Sequence, residues 1–95
     1  MSPRPKKIRY CEGDFTSHTY RPVGVSVNDL IEIQLHRDEL EAFRLCDAEG
    51  LTQEEAGEKM GVSRGTVQRI VTVARKKVAT SLAMGYAITF VEDDE

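Results

Sequence analysis

The sequence predicts a mainly α-helical domain of three helices, with short flanking β-strands at its N-terminal side and its C-terminus. Apolar residues recur every three or four positions from residue 37 onward, glycines and capping residues divide this region into three helices, and a short alternating run stands on either side. The chain has 95 residues, of which 40% are hydrophobic, which suffices for one small core. We therefore expect a basic, loop-rich N-terminal arm over residues 1–25, a folded domain over 26–91 and an acidic tail over 92–95.

The N-terminal arm shows no helical period. Pro3 and Pro5 prevent a helix at its start, and Pro22 with Gly24 indicates a turn. A short strand around "KIRYC" is one interpretation of its middle. The run "LIEIQL" then alternates apolar and polar residues and predicts a half-buried strand over about residues 30–35, although the stretch "VNDLIEIQL" also fits a frayed helical turn.

The first two helices are predicted from the capping residues and glycines at their ends as much as from the spacing of their apolar residues. "RDELEAFRLCDAEG" has acidic residues in its first turn, where the helix dipole favours them, and Gly50 after its end, which predicts a helix over about 37–49. Thr52 and Glu55 have the spacing of a capping box, and Gly61 ends the run. The second helix is therefore expected over about 52–60.

The third helix is predicted over about 63–84, with Ser63 as its cap. Its apolar positions repeat at intervals of three and four residues. They are Val67, Ile70, Val71, Ala74, Val78 and Leu82. After Gly85, "YAITFV" predicts a final strand over about 86–91. The two strands can pair with each other within one chain, which the pattern favours, or form edges that join two chains.

Charge is distributed unevenly along the chain. The formal net charge is -3, but no Asp or Glu occurs between residues 60 and 91. This region carries Arg64, Arg69, Arg75, Lys76 and Lys77. The local distribution of charge matters more for binding a polyanion than the net charge of the chain, because screening limits the range of each charge's interactions to about 10 Å. The opposing interpretation is a solvated helix face with no ligand.

The stretch "MGVSRGTVQRI", between helices two and three, is typical of a helix-turn-helix. Apolar residues fall at the core positions of that motif, Gly57 is small where two helices cross, and Gly61 provides the turn. In this motif the second helix enters the major groove of DNA by its N-terminal part. The residues expected at a DNA interface are Thr52, Gln53, Ser63, Arg64, Gly65, Thr66, Gln68, Arg69, Thr72 and Lys76.

These residues have different expected roles. Arg64 or Arg69 can donate two hydrogen bonds to guanine, and Gln68 can pair with adenine. Ser63, Thr66 and Lys76 suit phosphate oxygens, as do Thr52 and Gln53 where helix two crosses the DNA backbone. Structural roles compete with these: Thr52 and Ser63 are needed as caps whatever the function, Arg69 can pair with an acid on helix one or two, and Gln68 and Thr72 can be ordinary solvent-facing residues.

Other classes of function have little support. No nucleophile elbow, zinc-protease motif or phosphate-binding loop is present, so we expect no enzyme. Cys11, Cys46, His18 and His36 lack the paired spacing of a structural zinc site, so neither a metal nor another cofactor is expected. No run approaches the length of a membrane span and no signal peptide is seen, which predicts a cytoplasmic protein.

Residues 4–91 resemble a small prokaryotic family of uncharacterised proteins that are predicted to bind DNA. The resemblance rests on "RPVGV" and on the stretch from Asp38 to Gly85, above all on "DAEGLTQEEAGEKMGVSR". The family's helix-turn-helix is similar to region 4 of sigma factors, which reads the promoter −35 element. The family often has alanine at the position of Gly57, a larger residue at that of Gly65 and an aromatic at that of Val67. The missing side chain at Gly65 implies that base readout shifts to Arg64 and Gln68.

The resemblance and the residues together predict a sequence-specific double-stranded DNA-binding protein that regulates transcription. A single helix-turn-helix reads few base pairs, so a homodimer on two half-sites is one expectation. The alternative is a protein-interaction module that docks RNA polymerase, a sigma factor or another regulator without reading bases. RNA is less favoured, because few aromatic residues are present for base stacking.

Overall fold

The computed structural model describes residues 19–92 and confirms a mainly α-helical domain of three helices with short flanking strands. Its elements, in chain order, are β1 (Thr19–Tyr20), a 3-10 turn (Val27–Asp29), β2 (Glu32–His36), α1 (Arg37–Phe43), a π-helical segment (Arg44–Ala48), α2 (Gln53–Met60), α3 (Arg64–Met84) and β3 (Ala87–Val91). The strand interpretation around residues 7–11 lies outside the described residues.

The ends of α2 and α3 follow from their capping side chains. The Glu55 N–H donates to Thr52 Oγ1 at 3.0 Å, and Glu55 Oε1 accepts from the Thr52 N–H at 2.9 Å, so the predicted capping box is present. The Thr66 N–H donates to Ser63 Oγ at 3.1 Å. Each helix begins one residue later than predicted, because the capping residue itself has extended backbone angles.

The first helix does not run as one regular α-helix to residue 49. It becomes a π-helix at Arg44, and the Glu49 N–H donates to the carbonyl of Arg44, five residues back, at 2.9 Å. This wider turn brings the Glu49 carboxylate onto the Arg44 guanidinium, which also contacts Glu41. The hydrophobic period alone does not distinguish the two helix types, since Leu45 is buried in either.

The three strands form one sheet in the order β1-β3-β2. β2 and β3 run parallel in one chain, with Leu35 opposite Phe90, so the pairing that the sequence favoured is confirmed. β1 is antiparallel to β3 and was not predicted, because two residues are too few to show a period. β3 is the central strand, since it pairs with β2 along its length and with β1 at Ile88 and Thr89. The stretch "VNDLIEIQL" contains both predicted alternatives, because a 3-10 turn at Val27–Asp29 is followed by the strand β2.

The core consists of two clusters packed at different points along one side of α3. One lies between α3 and the sheet and contains Leu35, Ala74 and Ile88. The other lies beneath α2 and contains Leu45, Ala56 and Val67. The long third helix therefore joins the sheet to α2 and holds both in fixed positions.

One predicted assignment near the end of α3 is wrong. Leu82 was placed on the apolar stripe of α3 but is 77% exposed, whereas Ser81 is buried. The buried positions continue at intervals of four and three residues through Ala74 to Ser81, and Leu82 lies one residue off that line. Beyond β3, Glu92 forms an ion pair with Arg37, at the start of α1.

Candidate nucleic-acid interface

α2 and α3 are joined by only three residues, which bring the helices into close contact. Gly61 ends α2 with φ 77°, a left-handed conformation that favours glycine. The N–H groups of Gly61 and Val62 both donate to the carbonyl of Gly57, at 2.8 and 3.0 Å. A Cβ at Gly57 would lie 2.6 Å from the Val62 carbonyl oxygen, so only glycine fits this turn unchanged. We call residues 53–84 the α2–turn–α3 unit.

Buried contacts fix the orientation of α3 about its own axis. Val67, Val71 and Ala74 are fully buried on one side of the helix. At about 100° per residue, residues 64, 65, 68, 69, 72 and 76 fall within about 140° on the opposite side. The exposed side chains there include Arg75, which pairs with Asp47, and five predicted interface residues, Arg64, Gln68, Arg69, Thr72 and Lys76, which we call the α3 face. Five of the ten residues predicted at the interface thus share one exposed surface.

The first turn of α3 adds further polar groups at the end of this face. Ser63 is exposed and Gly65 and Thr66 are partly exposed. The first intrahelical bond is donated by the Val67 N–H to the Ser63 carbonyl at 3.0 Å, so the N–H groups of Arg64 and Gly65 precede it. Such a helix start favours the binding of anions, because its free N–H groups can donate hydrogen bonds and the helix dipole is positive at this end.

The remaining predicted residues, Thr52 and Gln53, lie at the start of α2. Thr52 is exposed but its hydroxyl is occupied in the capping box, and Gln53 is partly exposed. Gln53 belongs to the α2–turn–α3 unit, and Thr52 caps it, so the hydroxyl of Thr52 already has a structural role.

Contacts divide the basic residues of α3 into two groups. The Arg75 guanidinium donates two hydrogen bonds of 2.8 Å to the Asp47 carboxylate, and Lys77 Nζ donates to Glu39 Oε1 at 2.8 Å. Arg64, Arg69 and Lys76 have no acidic partner within residues 19–92. The expected alternative, an ion pair of Arg69 with an acid on helix one or two, is therefore absent from the described part of the chain.

The Asp47–Arg75 pair also sets the electrostatics of the segment behind α3. The hydrogen bonds from Arg75 lower the pKa of the Asp47 carboxyl and raise that of the Arg75 guanidinium. Burial, and then the neighbouring Asp47 charge, raise the pKa of the Cys46 thiol. Among residues 19–92 no group of His, Cys, Asp or Glu lies close enough together to hold a metal ion.

Sequence reasoning missed two features of this surface. One is the pair of hydrogen bonds that connects Ser63 to Thr66 and Thr66 to Arg69. The three-residue spacing of these residues along the helix could have indicated it. The other is the neutralisation of Arg75 and Lys77, whose partners lie 28 and 38 residues away. Nothing local in the sequence marks such distant pairs.

Comparison with known proteins places the chain in a family. A family model described as "Protein of unknown function DUF134" matches residues 1–94. The chain belongs to this family. The match to nearly its whole length confirms the resemblance to a group of uncharacterised prokaryotic proteins.

Several bacterial relatives carry the family's other designation, UPF0251. The UPF0251 protein Rru_A1194 of Rhodospirillum rubrum is 45% identical over 86 residues, which are 90% of this chain and 60% of that protein. The UPF0251 protein VPA0321 of Vibrio parahaemolyticus is 42% identical over 91 residues, 96% of this chain and 95% of that protein. The UPF0251 protein Teth39_0655 of Thermoanaerobacter pseudethanolicus is 49% identical over 86 residues, 90% of this chain and 73% of that protein.

The chain therefore spans about three fifths of the Rhodospirillum rubrum relative and nearly all of the Vibrio parahaemolyticus one. No solved structure matches the chain. Within residues 19–92, none of the helices combines the length and the apolar character needed to cross a bilayer.

Proposed function

We propose that this family member is a sequence-specific double-stranded DNA-binding protein that regulates transcription. It inserts the helix that begins after Ser63 into the major groove and acts in the cytoplasm, as a binding protein and not as an enzyme. The observation that carries the proposal is the α3 face, which projects two arginines without an acidic partner among residues 19–92, together with amide and hydroxyl groups, from one side of a rigidly supported helix.

Each part of the unit supports this function. The short turn and the glycine contact between α2 and α3 support a helix-turn-helix, a motif in which the first helix lies across the DNA backbone. A major groove about 12 Å wide admits a helix such as α3. Arginine forms bidentate contacts with guanine and glutamine with adenine, which are the side chains that the α3 face presents.

The charges also favour a polyanionic partner such as DNA. Arg64, Arg69 and Lys76 remain without acidic partners, while Arg75 and Lys77 are neutralised within the described chain. The sequence of α3 contains no acid, whereas α2 carries Glu54, Glu55 and Glu58. Positive charge is thus concentrated where the groove would be.

The proposal is tested by selecting duplexes from a randomised pool with the purified protein at near-physiological salt. We expect an enriched motif. A two-fold symmetric motif would show that two copies bind together, and a single asymmetric motif would show recognition by one copy. A folded protein that enriches nothing would contradict the proposal and favour docking to a protein such as a polymerase subunit or sigma factor.

Two variants then separate base reading from phosphate contact. Arg64→Ala is expected to weaken binding to the selected duplex by about 5- to 150-fold, with a much smaller effect on random duplex, because a bidentate base contact is lost. Lys76→Ala should weaken both duplexes about equally and lower the slope of log affinity against log salt by about one. Equal losses on both duplexes for Arg64→Ala would contradict its reading role.

A further inference from the structure

We infer that Thr66 is a positioning residue that holds the Arg69 guanidinium over Gly65, where it reads a guanine. The inference rests on the proposed function and adds to it a residue that contacts no base itself. Arg69 Nη2 donates to Thr66 Oγ1 at 3.2 Å. The Arg69 side chain therefore extends back along α3 by one turn, towards the end of the helix that would enter the groove.

The position of Thr66 is itself fixed by the helix cap. Ser63 Oγ donates to Thr66 Oγ1 at 3.0 Å, while the Thr66 N–H donates to Ser63 Oγ at 3.1 Å. Thr66 Oγ1 accepts from both Ser63 and Arg69, which occupies its two lone pairs. The guanidinium is thereby connected to the backbone of the first turn by two successive side-chain contacts.

The remaining donors of Arg69 suit a guanine. A guanidinium has five N–H donors in a planar fork, and one is taken by Thr66. Whichever Nη2 hydrogen Thr66 takes, one parallel pair of N–H groups remains, either Nη1 with Nη2 or Nε with Nη2. A parallel pair matches the O6 and N7 acceptors of guanine.

Gly65 supplies an independent observation. A Cβ built at Gly65 meets one atom within 4 Å, Arg69 Nη1 at 4.0 Å, and its φ lies outside the left-handed region. Nothing else within the described chain requires glycine there, in contrast to Gly57. A longer side chain at this position would extend into the space beside the Arg69 guanidinium. The absence of a side chain at Gly65 thus leaves the reading position to Arg69.

The experiment measures base preference at each position of the selected duplex for four variants. Arg69→Ala should abolish the guanine preference at one position. Thr66→Val, which keeps the shape but loses the hydroxyl, should reduce the guanine preference at that same position by about 3- to 10-fold, because the guanidinium must then be ordered on binding. Thr66→Ser should restore it. Thr80→Val removes a hydroxyl from α3 outside the α3 face, at a partly exposed residue, and should leave that position unchanged.

Random-duplex affinity and thermal unfolding are measured for each variant as well. Wild-type preference in Thr66→Val, with loss in Arg69→Ala, would overturn the positioning role while leaving the proposed function intact. A loss in Thr66→Val that is equal on selected and random duplex would also overturn it, since that pattern belongs to a phosphate contact. A wild-type protein that selects no motif would overturn the proposed function, and this inference with it.

Discussion

Replacement of Gly57 by alanine tests the closest contact in the α2–turn–α3 unit. The Cβ of the new residue would lie 2.6 Å from the Val62 carbonyl oxygen, where ordinary contact begins near 3.4 Å. The turn must therefore open by about 0.8 Å at this point, the difference between these two distances. Both atoms belong to or adjoin the backbone, so rotation of a side chain cannot relieve the overlap.

The magnitude follows from two opposing effects. Replacement of a helical glycine by alanine stabilises a helix by about 0.5–1 kcal/mol. Overpacking that displaces backbone costs about 1–3 kcal/mol. We expect Gly57→Ala to lower the free energy of unfolding by about 1 kcal/mol, because the steric cost exceeds the gain in helix propensity.

Gly65 offers a matched control, since it is a helical glycine with an open Cβ position. Gly65→Ala should raise the free energy of unfolding by about 0.5–1 kcal/mol, because only the propensity effect remains. Urea denaturation followed by circular dichroism measures both variants against the wild type. The two alanines should differ by about 1–3 kcal/mol, which is the steric cost at Gly57. Equal changes in both variants would refute the close contact at the turn.

Two further predictions concern ion pairs. Hydrogen bonds from Arg75 lower the pKa of folded Asp47, so the stabilisation they give is fully present above the unfolded pKa near 3.8 and is lost as pH falls through the folded pKa. Asp47→Asn should remove this pH-dependent part of the free energy of unfolding, which is under about 1 kcal/mol for so exposed a pair. Urea titrations between neutral and acid pH measure it, and an unchanged pH dependence in the variant would contradict the prediction. Lys77→Met should lower the free energy of unfolding by about 1–3 kcal/mol, because it leaves the largely buried Glu39 carboxylate without this partner. Lys76→Met, on the exposed α3 face, should change the free energy of unfolding by less than about 0.5 kcal/mol. Equal effects of the two lysine variants would refute the stabilising role of the Lys77–Glu39 pair.

The helices could be predicted from the sequence because their signals are local. Thr52, Glu55 and Ser63 mark the starts of α2 and α3, and Gly61 marks the turn, within a few residues of the bonds they make. The hydrophobic period then identifies the buried side of α3, and with it the exposed α3 face. Within α3, the hydrophobic period gave a wrong assignment at Leu82, which was predicted on the buried side and is exposed.

The remaining features depend on contacts between distant parts of the chain. β1 forms because β3 offers Thr89 and Ile88 as partners, and its own two residues show no strand pattern. The ion pair of Arg75 with Asp47 and the short path from Thr66 to Arg69 depend on side-chain placement, which a periodic pattern does not give. Sequence reasoning thus identified the surface, and the structure decided which of its cations are available.

The central claim, that the α3 face binds DNA, is tested most directly by titrating isotope-labelled protein with duplex DNA and following each backbone amide by NMR. The account predicts that shifts on binding concentrate in residues 63–72, with smaller changes at Thr52 and Gln53, and that they diminish as salt is raised. Shifts confined to the sheet or to α1, or none at low salt, would contradict it.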